Sequence, residues 1–161
     1  MHIKFLQTIV APKARRIYPD VAVAFNKELD ARKKRKFPIY DILSSMLLPA
    51  LDKVARKIGS AQTTVDHARI ACHLELHKLK HKKYPAKLTD LKTPLPHDPY
   101  TGKPYVYKPD PKGRYWLYGV GWNQKDDGGK VVFASPKGNL DLEKGDLVWQ
   151  YTTVLPPKKN K

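Results

Sequence analysis

Apolar residues recur every three or four positions over residues 43–79 and gather into short runs between turn residues beyond Pro85, so the chain divides where the pattern changes. Leu43, Leu47, Leu51, Val54 and Ile58 form one apolar stripe, which predicts a helix from Pro38 to about Ile58. Pro49 lies inside that stripe and predicts a kink or a restart, because proline removes a backbone donor. Gly59 predicts a break. A second, longer helix is expected from about Ser60 to Lys82. Val65, Ala68, Cys72, Leu76 and Leu79 mark its inward stripe, Ile70 and Leu74 widen it, and Cys72 reads as a small buried hydrophobe. Tyr84-Pro85 ends this helix, since the residue before proline avoids the α region. Upstream, Val21-Ala22-Val23-Ala24-Phe25 and Leu29 predict a short helix that runs into a basic stretch.

Beyond Pro85, short aromatic and β-branched runs alternate with turn residues. Tyr105–Tyr107, Arg114–Val120, Val131–Phe133 and Leu147–Tyr151 read as strands, and Pro109-Asp110-Pro111-Lys112-Gly113 as a hairpin turn. The expected fold is α+β: the long helix on a three- or four-stranded antiparallel sheet, with a helical N-terminal arm over 1–58, the α+β domain over 59–151 and a disordered basic tail over 152–161. Trp116 and Trp149 are expected to bury their rings against the long helix, and Trp122 to cover the loop that follows it.

Charge changes the picture. The 161 residues carry 31 Lys+Arg against 15 Asp+Glu, a formal net charge of +16. The excess is concentrated in the first 92 residues and peaks at Arg32, Lys33, Lys34, Arg35 and Lys36. Such a run attracts phosphates by counterion release, so nucleic acid is a candidate partner, although no aromatics interleave with it to stack on bases. One cysteine excludes an internal disulfide framework, and no apolar stretch is long enough to span a bilayer.

Two groups of residues invite a metal. His73, His77 and His81 share one helix face at four-residue spacing, although side chains in line on one helix converge poorly on a single ion. Asn123-Gln124-Lys125-Asp126-Asp127-Gly128-Gly129 and the later Gly145-Asp146 place oxygen ligands among glycines, a chemistry that suits calcium. An EF-hand does not fit, because Lys125 and Ala134 fall where ligands belong. No nucleophile elbow or phosphate-cradling glycine loop is present, and Asp98, Asp126 and Asp127 do not form a recognisable hydrolase pair, so an enzyme is not expected.

Several motifs occur in a characteristic order. A long helix ends in His81-Lys82-Lys83-Tyr84-Pro85, and Leu88 and Leu91 follow. Next come Leu95-Pro96-His97-Asp98-Pro99-Tyr100-Thr101-Gly102-Lys103-Pro104-Tyr105, Leu117-Tyr118-Gly119-Val120-Gly121, Asp126-Asp127-Gly128-Gly129 and Gly145-Asp146-Leu147-Val148-Trp149. Over residues 61–151 this order resembles the periplasmic domain of the major (G-type) pseudopilin of type II secretion. It also resembles, more closely, a group of uncharacterised proteins from planctomycete- and verrucomicrobia-type bacteria. The resemblance implies a non-enzymatic structural or interaction domain of the cell envelope that works through a protein partner or self-association. It implies calcium ligands at Asn123, at Asp126 or Asp127, and at Asp146, with Asn123 standing where the family has an aspartate. Residues 1–58 depart from the family's apolar assembly helix, so membrane attachment is expected only through an anchor upstream of this chain.

Overall fold

The computed structural model describes residues 8–33, 39–135, 138 and 140–149, with the backbone alone described for residues 29–30, 32–33 and 39–51. Its elements in chain order are β1 (Val10–Ala11), β2 (Arg16–Ile17), α1 (Pro19–Lys33), α2 (Ile39–His81), a 3-10 turn (Leu88–Leu91), β3 (Val106–Asp110), β4 (Arg114–Gly119), β5 (Val131–Phe133), β6 (Leu140–Gly145) and β7 (Leu147–Val148). The fold is α+β, one long helix with small antiparallel sheets.

The two expected helices are one. α2 runs unbroken for 43 residues, through both Pro49 and Gly59. Gly59 serves packing instead of termination: a Cβ there would lie 2.2 Å from Tyr100 Oη and 2.8 Å from Ile17 Cδ1. The glycine lets Tyr100 and β2 reach the helix backbone. α2 ends where Tyr84-Pro85 requires, with Lys82 in the left-handed region at φ 62° and Lys78, Lys80 and His81 in the last turn. α1 starts with Pro19 at its first position and Asp20 in its first turn, a favoured helix opening.

The inward face of α2 is not the expected one. Val65, Leu76 and Leu79 are 62%, 62% and 70% exposed, Val54 and Ile58 are about half exposed, and Cys72 is exposed. The buried line is Asp52, Ala55, Gly59, Thr63, Asp66, His67, Ile70, Ala71 and Leu74. Asp66 can occupy it because partners, two of them from distant segments, satisfy it. Asp66 Oδ1 accepts from Arg15 Nη2 at 2.6 Å and from Gln62 Nε2 at 3.0 Å, and Asp66 Oδ2 accepts from the Tyr105 hydroxyl at 3.1 Å. A buried carboxylate without such partners would be strongly unfavourable.

Two apolar clusters sit along α2. Ile9, Ile17, Ala22, Ala55 and Tyr100 form the first, with Val21, Phe25 and Trp122 against it. Ile70, Leu74, Tyr105, Tyr115 and Leu117 form the second, joined by Tyr84, Leu88, Leu91 and Trp149. In the second, β3 and β4 pair antiparallel in the register Val106↔Tyr118 to Asp110↔Arg114, around a turn over residues 111–113; Pro109 and Asp110, expected in the turn, belong to β3, and β4 also pairs with β7 through Gly119↔Leu147. β5 and β6 form a separate antiparallel pair, as do β1 and β2, so the strands make several small sheets where one was expected. The β1–β2 hairpin within the segment read as a helical arm was not anticipated.

Strand alternation settles the tryptophans. Tyr115 and Leu117 face α2, which turns Trp116 outward, more than half exposed, against expectation. Trp149 packs onto the second cluster as expected. Trp122 packs on the first cluster: it meets Tyr100 edge-on at 6.1 Å and lies under the Arg56 guanidinium at 5.4 Å. Among the described residues no helix is long and apolar enough to cross a membrane.

Candidate functional site

The acidic loop lies between β4 and β5 and is fastened to the β6–β7 junction. Gly145 has φ 75°, and a Cβ on it would lie 2.6 Å from the Lys130 carbonyl oxygen, so only glycine permits this approach. The next residue closes the join: Asp146 N donates to Lys130 O at 2.8 Å, and Gly129 N donates to Asp146 Oδ2 at 2.7 Å. The sequence pairs Asp146 with this loop, and the structure brings them together.

Within the loop, side chains satisfy the backbone. Asp126 Oδ1 accepts from Gly128 N at 2.9 Å and from the Tyr118 hydroxyl at 3.1 Å. Asn123 Oδ1 accepts from Lys125 N at 3.1 Å, and Asn123 Nδ2 donates to Asp127 Oδ2 at 2.9 Å. Asp146 differs from these. It is only 4% exposed, and its Oδ1 is buried without a hydrogen-bond partner. Burial pushes its carboxyl above the usual range and the Asp126 and Asp127 charges push the same way, against backbone N–H groups of Gly129 and Asp127. Its charged form is therefore only partly compensated, by those two backbone groups.

Calcium takes about six to eight oxygens. The loop supplies candidate donors on Asn123, Asp126, Asp127 and Asp146, and the unpaired Asp146 Oδ1 fits a cation. Yet among the described residues no group of three or more His, Cys, Asp or Glu side chains is disposed to hold a metal ion. Asn123 and Asp127 hold each other, so a cation here would have to reorganise that contact.

The remaining candidates fall elsewhere. His77 Nδ1 donates to Lys83 O at 3.1 Å, and its ring lies 4.4 Å from that of His81. Partial desolvation, then His77, Lys80 and Lys83, lowers the His81 pKa. With His73 these rings line an open cavity of about 540 Å³ with Asp90 on its wall. Asp98 is a structural anchor: its Oδ1 accepts from Tyr100 N at 2.7 Å and from Thr101 N at 3.2 Å, and Gly102 N reaches its carbonyl at 2.7 Å. Burial raises its pKa despite these donors, Val120 N–H and the Arg16 charge. Arg32 and Lys33 end α1, while Lys34, Arg35, Lys36 and the 152–161 tail lie outside the described residues.

No family model matches the chain, and neither the curated proteins nor the solved structures yield a significant match.

Sequence reasoning missed one feature. A cavity of about 340 Å³ opens between α2 and the β5–β7 strands, lined by Ser60, His67, Leu140, Leu147 and Trp149 among others. His67 Nε2 and Trp149 Nε1 are buried without partners, and burial lowers the His67 pKa to about 4. The only sequence signal for it is a histidine directly after Asp66 on a buried line, which could be seen only once the correct helix face is known.

Proposed function

We propose that the chain is a non-enzymatic structural and interaction domain built on the pseudopilin plan, belonging to the cell envelope, with a loop that takes up calcium. The observation that carries this reading is the join between the acidic loop and the closing strand, where Asp146 is buried with one carboxylate oxygen unpaired beside two like charges. A calcium ion there would neutralise that charge and hold residues 123–129 to β7. Support for a structural role also comes from the Asp-Pro-x-x-Gly-x-Pro segment, whose Asp98 serves to hold its turn.

The test is a melting curve of wild type and of Asp146→Ala in millimolar calcium, in magnesium and in chelator. Stabilisation specific to calcium in wild type, absent from the variant, is the expected result. It follows RT ln(1 + [L]/Kd), about 2.7 kcal/mol at a hundredfold excess over Kd. Identical curves in calcium and chelator, on protein shown to be metal-free, would remove calcium from the proposal. The envelope assignment is checked separately by fractionating cells that express the tagged protein from its own locus: recovery with the nucleoid would contradict it.

A further inference from the structure

The apolar residues that α2 turns away from its core form a pattern of their own. Val54, Ile58, Ala61, Val65, Ala68, Cys72, Leu76 and Leu79 fall within about 40° either side of one line at 100° per residue, nearly opposite the buried face. All are exposed except the half-buried Ala68. The stripe extends for about 37 Å at 1.5 Å per residue. Ile58, Val65, Cys72 and Leu79 are spaced by seven, with Val54, Ala61 and Ala68 at the alternate seam positions; the next alternate position is Glu75, with Leu76 beside it. A seven-residue repeat, here apolar from Val54 to Cys72, holds one side toward a supercoiling partner helix, and the alanines leave holes for that partner's larger side chains. A band of this size is more than the isolated exposed apolar residues usual on a protein surface.

The flanks are mainly basic. Exposed Lys57 borders one side of the stripe, where half-buried Glu75 also lies, and exposed Arg69 and Lys80 border the other. The carboxylates of α2 from residue 52 onward are all engaged within the molecule. Asp52 takes Arg56, Asp66 takes Arg15, Gln62 and Tyr105, and Glu75 accepts from the Tyr84 hydroxyl at 2.6 Å.

We infer that this face of α2 binds an amphipathic helix of a partner protein, with apolar residues at heptad spacing and acidic residues on its flanks. The inference rests on the interaction-domain reading above and names the partner's chemistry. A second copy fits less well, since it presents the same basic flanks to a chain already strongly positive. A lipid surface also fits less well, because the stripe is narrow, rich in small residues and free of Trp and Phe, unlike a helix that lies in a membrane interface.

The probe is a labelled synthetic 28-residue peptide with Ile and Leu at the seam and Glu on both flanks, which its own repulsion keeps monomeric. Its control has Lys in place of Glu. By fluorescence anisotropy the full chain binds the acidic peptide and not the basic one, and binding weakens as salt rises. Val65→Ser with Leu76→Ser, and separately Lys57→Glu with Arg69→Glu, weaken it at least about tenfold. Circular dichroism and unchanged melting temperatures establish that these exposed substitutions leave the fold intact. Equal binding of both peptides, or none to folded protein, overturns the inference. So does a salt-resistant dimer in sedimentation that Val65→Ser abolishes, or binding to anionic vesicles without peptide binding. The calcium response of the melting curve is read in the same variants: if it persists while peptide binding is absent, this inference alone fails, and the reverse leaves the docking face standing.

Discussion

Replacing Gly59 by alanine sets two effects of opposite sign against each other. Alanine in a helix interior is favoured over glycine by about 1 kcal/mol, so an exposed interior glycine would gain stability from the change. Here the new methyl would lie 2.2 Å from Tyr100 Oη and 2.5 Å from its Cζ, well inside contact distance. The ring has little room to yield. It is buried in the first cluster, meets Trp122 edge-on, and its hydroxyl donates to the Arg56 carbonyl at 3.3 Å. Overpacking of this kind costs about 1–3 kcal/mol, and losing the hydroxyl's hydrogen bond adds about 1 kcal/mol. The expected net effect of Gly59→Ala is a destabilisation of about 1–3 kcal/mol, or a fall in Tm of roughly 3–10 °C for a chain of this size. Thermal and urea melts measure it. Tyr100→Ala is the companion: it lowers stability itself but empties the space, and in that background Gly59→Ala becomes neutral or stabilising by up to about 1 kcal/mol. A rise in Tm for Gly59→Ala in the wild-type background would refute the close approach of Tyr100 to α2.

Other outcomes follow from the same geometry. Burial lowers the His67 pKa from 6.5 to about 4, so the folded state resists a proton that the unfolded chain accepts; stability present above pH 6.5 is lost as pH falls toward 4, by up to about 3 kcal/mol, and His67→Phe flattens that part of the urea-midpoint profile. An imidazole NMR titration of His67 with a midpoint near 6.5 would contradict its burial. Trp149→Ala removes packing from the second cluster and is expected to cost about 3 kcal/mol, whereas Trp116→Ala, at an exposed position, stays within about 0.5 kcal/mol; equal losses in the two melts would mean the outward and inward faces of the sheet are misassigned. Titration with duplex and single-stranded nucleic acid at two salt concentrations is expected to give weak binding that vanishes with salt, and sub-micromolar binding near physiological salt would instead establish a nucleic-acid-binding protein.

The parts of the fold that depend on local chemistry could be read in the residues. The end of α2 follows from the backbone restriction before Pro85, and the β3–β4 turn follows from Pro111 and Gly113. The fastening of Asp146 to the acidic loop was expected from the motif order and is present as Gly129 N to Asp146 Oδ2. What could not be read is which side of α2 is inside. Periodicity points to the line with the most apolar residues, Val65 to Leu79, but the chosen line carries Asp66 and His67. It is chosen because Arg15 and Tyr105, 51 and 39 residues away, satisfy Asp66. Cys72 then lies outside for the same reason. Gly59 illustrates the opposite error: a breaker by local rule becomes a point of contact once Tyr100 is known to arrive there. The β1–β2 hairpin escaped notice because its strands are two residues each, too short to show alternation.

The first cluster also constrains the order in which the chain folds as it is made. Ile9, Ile17, Ala22 and Ala55 close on Tyr100, Ile17 N donates to Pro99 O at 2.9 Å, and Arg16 Nη2 reaches Tyr100 O at 3.3 Å. Ile9 and Ile17 lie more than eighty residues before Tyr100. At synthesis rates of about 5–20 residues per second, they leave the ribosome roughly 4–18 s before the residue that covers them. The amino-terminal segment is therefore a late-closing element despite being made first. A nascent chain stalled before residue 100 should expose these isoleucines to chaperones, and one stalled well beyond it should not.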